Sequence, residues 1–192
     1  MKKFVISLLS VIFLCAAATA QVLVGMTDTT AYFPQLEGRR VAVLANHTAV
    51  ARFGDGAPGV AADAAVRLPV AASDGTIHLV DLLHGRGFDV TGIFSPEHGF
   101  RGTADAGEHV ASSVDAATGI PIRSLYDGNT KRPSDEAMRS FDVLVVDMQD
   151  VGLRFYTYYI TMLRMMDACA ESGRSVIVLD RPNPNGHHVD GP

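Results

Sequence analysis

Val41-Ala42-Val43-Leu44-Ala45 and, much later, Phe141-Asp142-Val143-Leu144-Val145-Val146 are short apolar runs that stop abruptly at polar residues. Neither run is long enough for an amphipathic helix, and neither offers a regular polar face to water. Strands apolar on both sides belong in a parallel sheet covered by helices on both faces. Two further strands fit the same scheme: Phe88 to Phe94, with Val90, Ile93 and Phe94 apolar, and Ser175 to Leu179.

Helical patterns alternate with these strands. Thr76 to Arg86 carries Ile77, Val80, Leu83 and His84 at helical spacing, with Gly85 and Gly87 as the stop. Pro133 to Ser140 is a short helix with proline in its first turn. Thr157 to Ser172 is amphipathic, with Met162, Met165, Met166 and Cys169 on one face and Gly173 as its end. The expected fold is therefore α/β, a mostly parallel sheet with helices on both faces. Arg52 to Ser73 is expected to include a surface loop, and Ser95 to about Asn129 a long polar connection. Connections of that length are usually functional or disordered.

The first residues read as an export signal. Lys2 and Lys3 precede the apolar stretch from Phe4 to Ala18, and Ala18-Thr19-Ala20 supplies small residues for cleavage. The stretch is shorter than the ~20 apolar residues that span a bilayer. The expectation is a signal peptide over 1–20, a mature domain over 21–192, and a periplasmic or secreted location without a stable membrane span. An uncleaved anchor is the alternative. A lipid anchor at Cys15 is disfavoured because Leu14 stands where a small residue is wanted. Once Cys15 leaves with the signal, Cys169 is alone and no internal disulfide can form. The net charge of −5 and the lack of a basic run argue against nucleic acid as a partner. The chain stops at Asp190-Gly191-Pro192, in a Gly- and Pro-rich stretch, which suggests truncation before a C-terminal domain.

Ligands of open parallel sheets bind beyond the carboxyl ends of the strands. Those positions hold Asn46, His47 and Thr48, then Glu97, His98 and Arg101. After the third strand come Asp147, Gln149, Asp150 and Arg154, and after the fourth Asp180, Arg181 and Asn183. Glu97 lies between Pro96 and His98-Gly99; a carboxyl on a tight, partly desolvated loop can serve as a general acid, or simply cap the loop. His98 can orient that acid, bind substrate, ligate a metal, or satisfy its own loop. A zinc site from His47, His98, His109 and Asp150 matches no zinc spacing, so neither metal nor cofactor is expected. Asp147 is better suited to pairing with Arg154 or Arg181 than to chemistry. Arg154-Phe155-Tyr156-Thr157-Tyr158-Tyr159 offers aromatic faces with hydroxyl tips, suited to a sugar ring or to helix-start packing. Ser95, Ser112 and Ser113 lack a nucleophile elbow.

Several ordered blocks carry a resemblance. They are Phe94-Ser95-Pro96-Glu97-His98-Gly99-Phe100-Arg101-Gly102, Asp105-Ala106-Gly107-Glu108, Leu125-Tyr126, Asp147-Met148-Gln149-Asp150-Val151-Gly152, Arg154-Phe155-Tyr156-Thr157-Tyr158 and Leu179-Asp180-Arg181-Pro182-Asn183-Pro184. Together they resemble the exo-β-N-acetylmuramidases of glycoside hydrolase family 171, long known only as a domain of unknown function. The resemblance runs from about Gly38 to Pro192. It implies a Rossmann-like N-terminal domain and release of terminal N-acetylmuramic acid from the non-reducing end of peptidoglycan fragments. It marks Glu97 as a catalytic position and Asn46, His98, Arg101, Asp150 and Arg181 as polar positions around the sugar.

A glycosidase needs an acid near the glycosidic oxygen and a second group at the anomeric carbon. Glu97 is the candidate acid and Asp150 the weaker candidate for the second group, which the substrate's own N-acetyl group can replace. Asn46, His98, Arg101, Gln149, Arg154, Tyr156, Asp180 and Arg181 are the candidate substrate contacts. Two other classes stay open: a non-catalytic module that binds wall saccharides, and a metal-dependent hydrolase.

Overall fold

The computed structural model describes residues 23–53, 75–100, 113–125, 132–186 and 188. The signal segment with Cys15, most of the Arg52–Ser73 loop, Arg101, His109 and Ser112 lie outside the described residues.

At the centre is β1 (Arg40–Ala45), parallel to β4 (Asp89–Ser95) on one side and β7 (Val143–Asp147) on the other. Val41 to Ala45 are all 0% exposed, as expected for a strand covered on both faces. Their side chains alternate between two cores. Val41, Val43 and Ala45 pack with Val143 and Val145 against Tyr32 and Leu36 of α1 (Thr29–Leu36) and Leu79, Leu82 and Leu83 of α2 (Leu79–Gly85). Ala42 and Leu44 pack with Leu144 and Val146 against Ala137 and Met138 of α3 (Asp135–Arg139) and Met165, Ala168 and Cys169 of α4 (Thr157–Glu171). The period-two geometry of a strand thus explains why every position had to be apolar.

The six-stranded sheet is completed by β8 (Ser175–Val178), β6 (Pro121–Ser124) and β5 (Ser113–Val114), in the order β5-β6-β4-β1-β7-β8. Only the β5–β6 pair is antiparallel. Taken in chain order, the five parallel strands stand third, second, first, fourth, fifth. That is the Rossmann order, with its switch point between β1 and β7.

The structure corrects several sequence expectations. The Ser95–Asn129 connection contains β5 and β6. Only Ile122 of β6 is well buried, so this strand carries no apolar run to betray it. Thr76 to His78 is not helix but β3, paired antiparallel with β2 (Val50–Arg52). Thr76 and Ile77 are β-branched, and α2 begins only after His78, whose Nδ1 accepts from Val80 N at 3.2 Å. On α4 the core stripe is Tyr158, Thr161, Met165, Ala168 and Cys169; Met162 is half-buried and Met166 is exposed. Gly173 ends that helix with φ +63°, and Arg174 N reaches back to Cys169 O at 2.8 Å.

The amino ends of the strands are tied by Asp142. It accepts from Arg40 N at 3.0 Å, Arg40 Nε at 3.1 Å and Arg40 Nη2 at 2.7 Å, with Arg174 Nη1 at 3.5 Å. This clamp lies at the opposite edge of the sheet from the polar cluster, so the two edges have separate tasks.

Candidate active site

At the switch point β1 and β7 stay paired to Ala45 and Asp147, and the loops beyond them are stitched together. Asn46 is fully buried, and its Oδ1 accepts from Thr48 N at 3.0 Å and Thr48 Oγ1 at 2.6 Å. Thr48 Oγ1 in turn accepts from Gln149 N at 2.9 Å. The Gln149 amide donates to Asp150 O at 2.7 Å and to Pro182 O at 3.0 Å, bringing in the loop after β8. Gln149 is a candidate substrate contact by sequence; in the structure its amide hydrogens are spent on its own loop and on the loop after β8.

Beneath this relay Asp147 is 0% exposed and gripped by Arg181. The guanidinium donates through Nε to Oδ1 and through Nη2 to Oδ2 at 2.9 Å, with Nη2 also reaching Val50 O at 3.2 Å. Burial pushes the Asp147 carboxyl up, and Arg181 pulls it down less strongly. Of the two pairings expected for Asp147, the one with Arg181 forms. That pairing also engages Arg181, a candidate sugar contact, in structure.

Glu97 comes from the end of β4 and is half-buried. Its Oε2 accepts from Thr157 Oγ1, the first residue of α4, at 2.8 Å. The turn carrying it closes through Gly99 N to Pro96 O at 3.2 Å. His98 within that turn has φ +69°, the one non-glycine in the left-handed region among the described residues. Strained backbone of this kind concentrates at functional sites.

Tyr158, next along α4, belongs to the aromatic run whose sequence suits a sugar ring or helix-start packing. It is 2% exposed and its hydroxyl is pushed up to about 12, first by burial and then by the Tyr156 hydroxyl, with Asn46 pulling it down and the Glu97 charge adding to the rise. The Asn46 amide is therefore close to Tyr158. Its Nδ2 nonetheless has no partner of good hydrogen-bond geometry among the described residues. Tyr156 meets Tyr158 edge-on, centroids 4.5 Å apart. The available signal for Tyr158 is its place in an aromatic run just inside a helix start.

Asp150 Oδ1 accepts from Gly152 N at 2.6 Å, whereas Oδ2 is buried with no partner among the described residues. It borders a cavity of about 160 Å³ between α4 and β8, lined also by Met148, Tyr158, Met162, Leu179 and Arg181. Asp180, exposed, lies on the same rim, and its carbonyl accepts from Gly25 N at 2.7 Å. Arg154 is exposed beside the α4 start, its carbonyl accepting from Tyr159 Oη at 3.0 Å. His47 is exposed, while His78, which the sequence does not single out, is buried and bonds Asn46 O through Nε2 at 2.9 Å. Among the described residues no three His, Cys, Asp or Glu side chains converge to hold a metal, and no helix is long and apolar enough to cross a membrane.

Comparison with known proteins bears on this edge of the sheet. Residues 41–192 match the family described as exo-beta-N-acetylmuramidase NamZ, N-terminal. The chain is 39% identical over 163 residues to the peptidoglycan beta-N-acetylmuramidase NamZ of Bacillus subtilis (strain 168), covering 84% of this chain and 34% of that protein. It also resembles crystal structures of two DUF1343 family proteins of Bacteroides fragilis NCTC 9343. One is 45% identical with a TM-score of 0.67, covering 90% of this chain and 38% of the other. The second is 34% identical with a TM-score of 0.63, covering 84% and 35%. The chain thus spans about a third of the length of these relatives.

Proposed function

We infer the function from membership: this chain belongs to the exo-β-N-acetylmuramidase NamZ N-terminal family, and we propose that the whole protein is an exo-acting glycoside hydrolase. It releases terminal N-acetylmuramic acid from the non-reducing end of peptidoglycan fragments. The observation that carries this reading is Glu97, a half-buried carboxyl beyond β4, held by Thr157 at the edge where parallel sheets bind ligands.

In this reading Glu97 protonates the glycosidic oxygen as the bond to the anomeric carbon breaks, and water completes the sugar. Asp150, whose Oδ2 has no donor of its own among the described residues, faces the anomeric carbon or its attacking water. His98, Arg101, Arg154, Tyr156 and Asp180 contact the sugar, and Gln149, Arg181 and the buried Asn46 support it through the loops they tie. Work on cell-wall saccharides fits an exported protein, so the signal over 1–20 belongs to the same proposal.

The test is Glu97→Gln in the full-length protein, assayed on a chromogenic β-linked N-acetylmuramic acid glycoside. Loss of a general acid should cost about 10²- to 10⁴-fold in kcat. Turnover near wild type would sink the assignment of Glu97.

A further inference from the structure

The carboxyl of Glu97 is held from outside its own loop, and a catalytic meaning for that support rests on the reading of Glu97 as the acid. Thr157 opens α4 and donates its Oγ1 hydrogen to Glu97 Oε2 at 2.8 Å. A hydroxyl at a helix start ordinarily serves the amides of its own helix. Here the preceding residue, Tyr156, makes no side-chain cap, and the first turn of α4 has no acidic residue. The Thr157 hydroxyl is given instead to a carboxyl supplied by another element, the turn after β4.

Both supports are rigid. Thr161 Oγ1 donates to Thr157 O at 3.0 Å, Tyr158 is sunk in the interior, and Met165, Ala168 and Cys169 anchor the rest of the helix in the core. On the other side, the Pro96–Gly99 turn holds the Glu97 backbone with His98 in a left-handed conformation. Catalytic groups lose rate steeply when free to swing away from the reacting atom.

We propose that Thr157 is a positioning residue for Glu97: it fixes the plane of the carboxyl so that proton transfer needs no search through rotamers. A helix-forming role alone would not require a hydroxyl, since α4 gains its stability from its buried stripe.

The experiment uses the full-length protein and the same chromogenic glycoside. Thr157→Val should lower kcat by about 10- to 100-fold, the range for leaving a partly buried acceptor without its donor. KM should move by less than about threefold, because the bond acts on proton transfer and not on sugar binding. Thr157→Ser keeps the hydroxyl and should restore kcat to within about threefold of wild type. In a Glu97→Gln background, Thr157→Val should cost nothing further, because the amide has no acid proton left to position. If Thr157→Val fails to fold, Thr157→Ala, suited to a helix start, is read in the same way. Unchanged kcat in the Val variant, failure of Ser to restore it, or an equal loss in the Glu97→Gln background would each overturn the proposal. Glu97→Gln inactive with Thr157→Val fully active defeats this inference alone. An active Glu97→Gln defeats the reading beneath it as well.

Discussion

Asp147 and Arg181 form a two-pronged ion pair in which the carboxylate is 0% exposed and the guanidinium side chain 9% exposed, joining the end of β7 to the loop after β8. Removing one partner leaves the other charge buried and unpaired. Arg181→Leu should therefore destabilise the protein by about 3–5 kcal/mol, and the double variant Asp147→Leu/Arg181→Leu should be more stable than Arg181→Leu alone. Urea unfolding of the three proteins checks this. Equal stability of Arg181→Leu and wild type would show that the pair carries no structural weight.

At the opposite edge, Asp142 should give acid sensitivity of definite sign. Hydrogen bonds from the Arg40 side chain and backbone hold its carboxyl at about 2, below the ordinary 3.8. A folded value below the unfolded one means a stabilising contribution present above pH 3.8 and lost as pH falls toward 2. The gap in Tm between wild type and Asp142→Asn should be constant from about pH 5 to 7 and close over that acid window. Asp147, pushed up by burial, contributes with the opposite sign. A gap that stays constant down to pH 2 would remove Asp142 from the account.

Cys169 should be chemically silent in the folded protein. It is 0% exposed, and burial pushes its thiol up to about 11. Since the thiolate is the reactive form, ionisation alone should slow alkylation by about 100-fold relative to the unfolded chain. Iodoacetamide treatment at pH 8, with and without urea, followed by mass spectrometry of the Cys169 peptide, measures this. Rapid native labelling would mean that the α4 core opens easily.

His98 allows a backbone role in its turn to be separated from the role proposed for its ring. Glycine tolerates φ +69°, whereas a β-branched residue does not. His98→Gly should fold with His98→Val about 1–2 kcal/mol less stable than it. Both should lose turnover if the imidazole contacts the sugar. Full activity in His98→Gly would assign the residue to the turn alone.

Much of the architecture was legible because burial writes itself into short runs. Val41–Ala45 could only be a strand covered on both faces, and Gly173 could be read as the end of α4. The polar residues after each strand stood out for the same reason: the apolar pattern stops where the sheet ends. What escaped was weakly patterned. The strand β6 buries chiefly Ile122, β3 continues smoothly into α2 behind His78, and Met166 sits one position off the buried stripe of α4.

The sequence by itself determined the central strands β1, β4 and β7, the edge strand β8 and the polar residues at their ends, because those depend on local periodicity and on where apolar surface stops. Only the tertiary structure decided which ends meet. Val41 pairs with both Val90 and Val143, so the chain reverses its direction of winding at β1 and brings the end of β1 beside Asp147 at the end of β7. The Thr157 bond to Glu97 and the Arg181 grip on Asp147 are products of that crossover. No local pattern encodes them, since each joins residues brought together by packing of whole elements and not by their spacing along the chain.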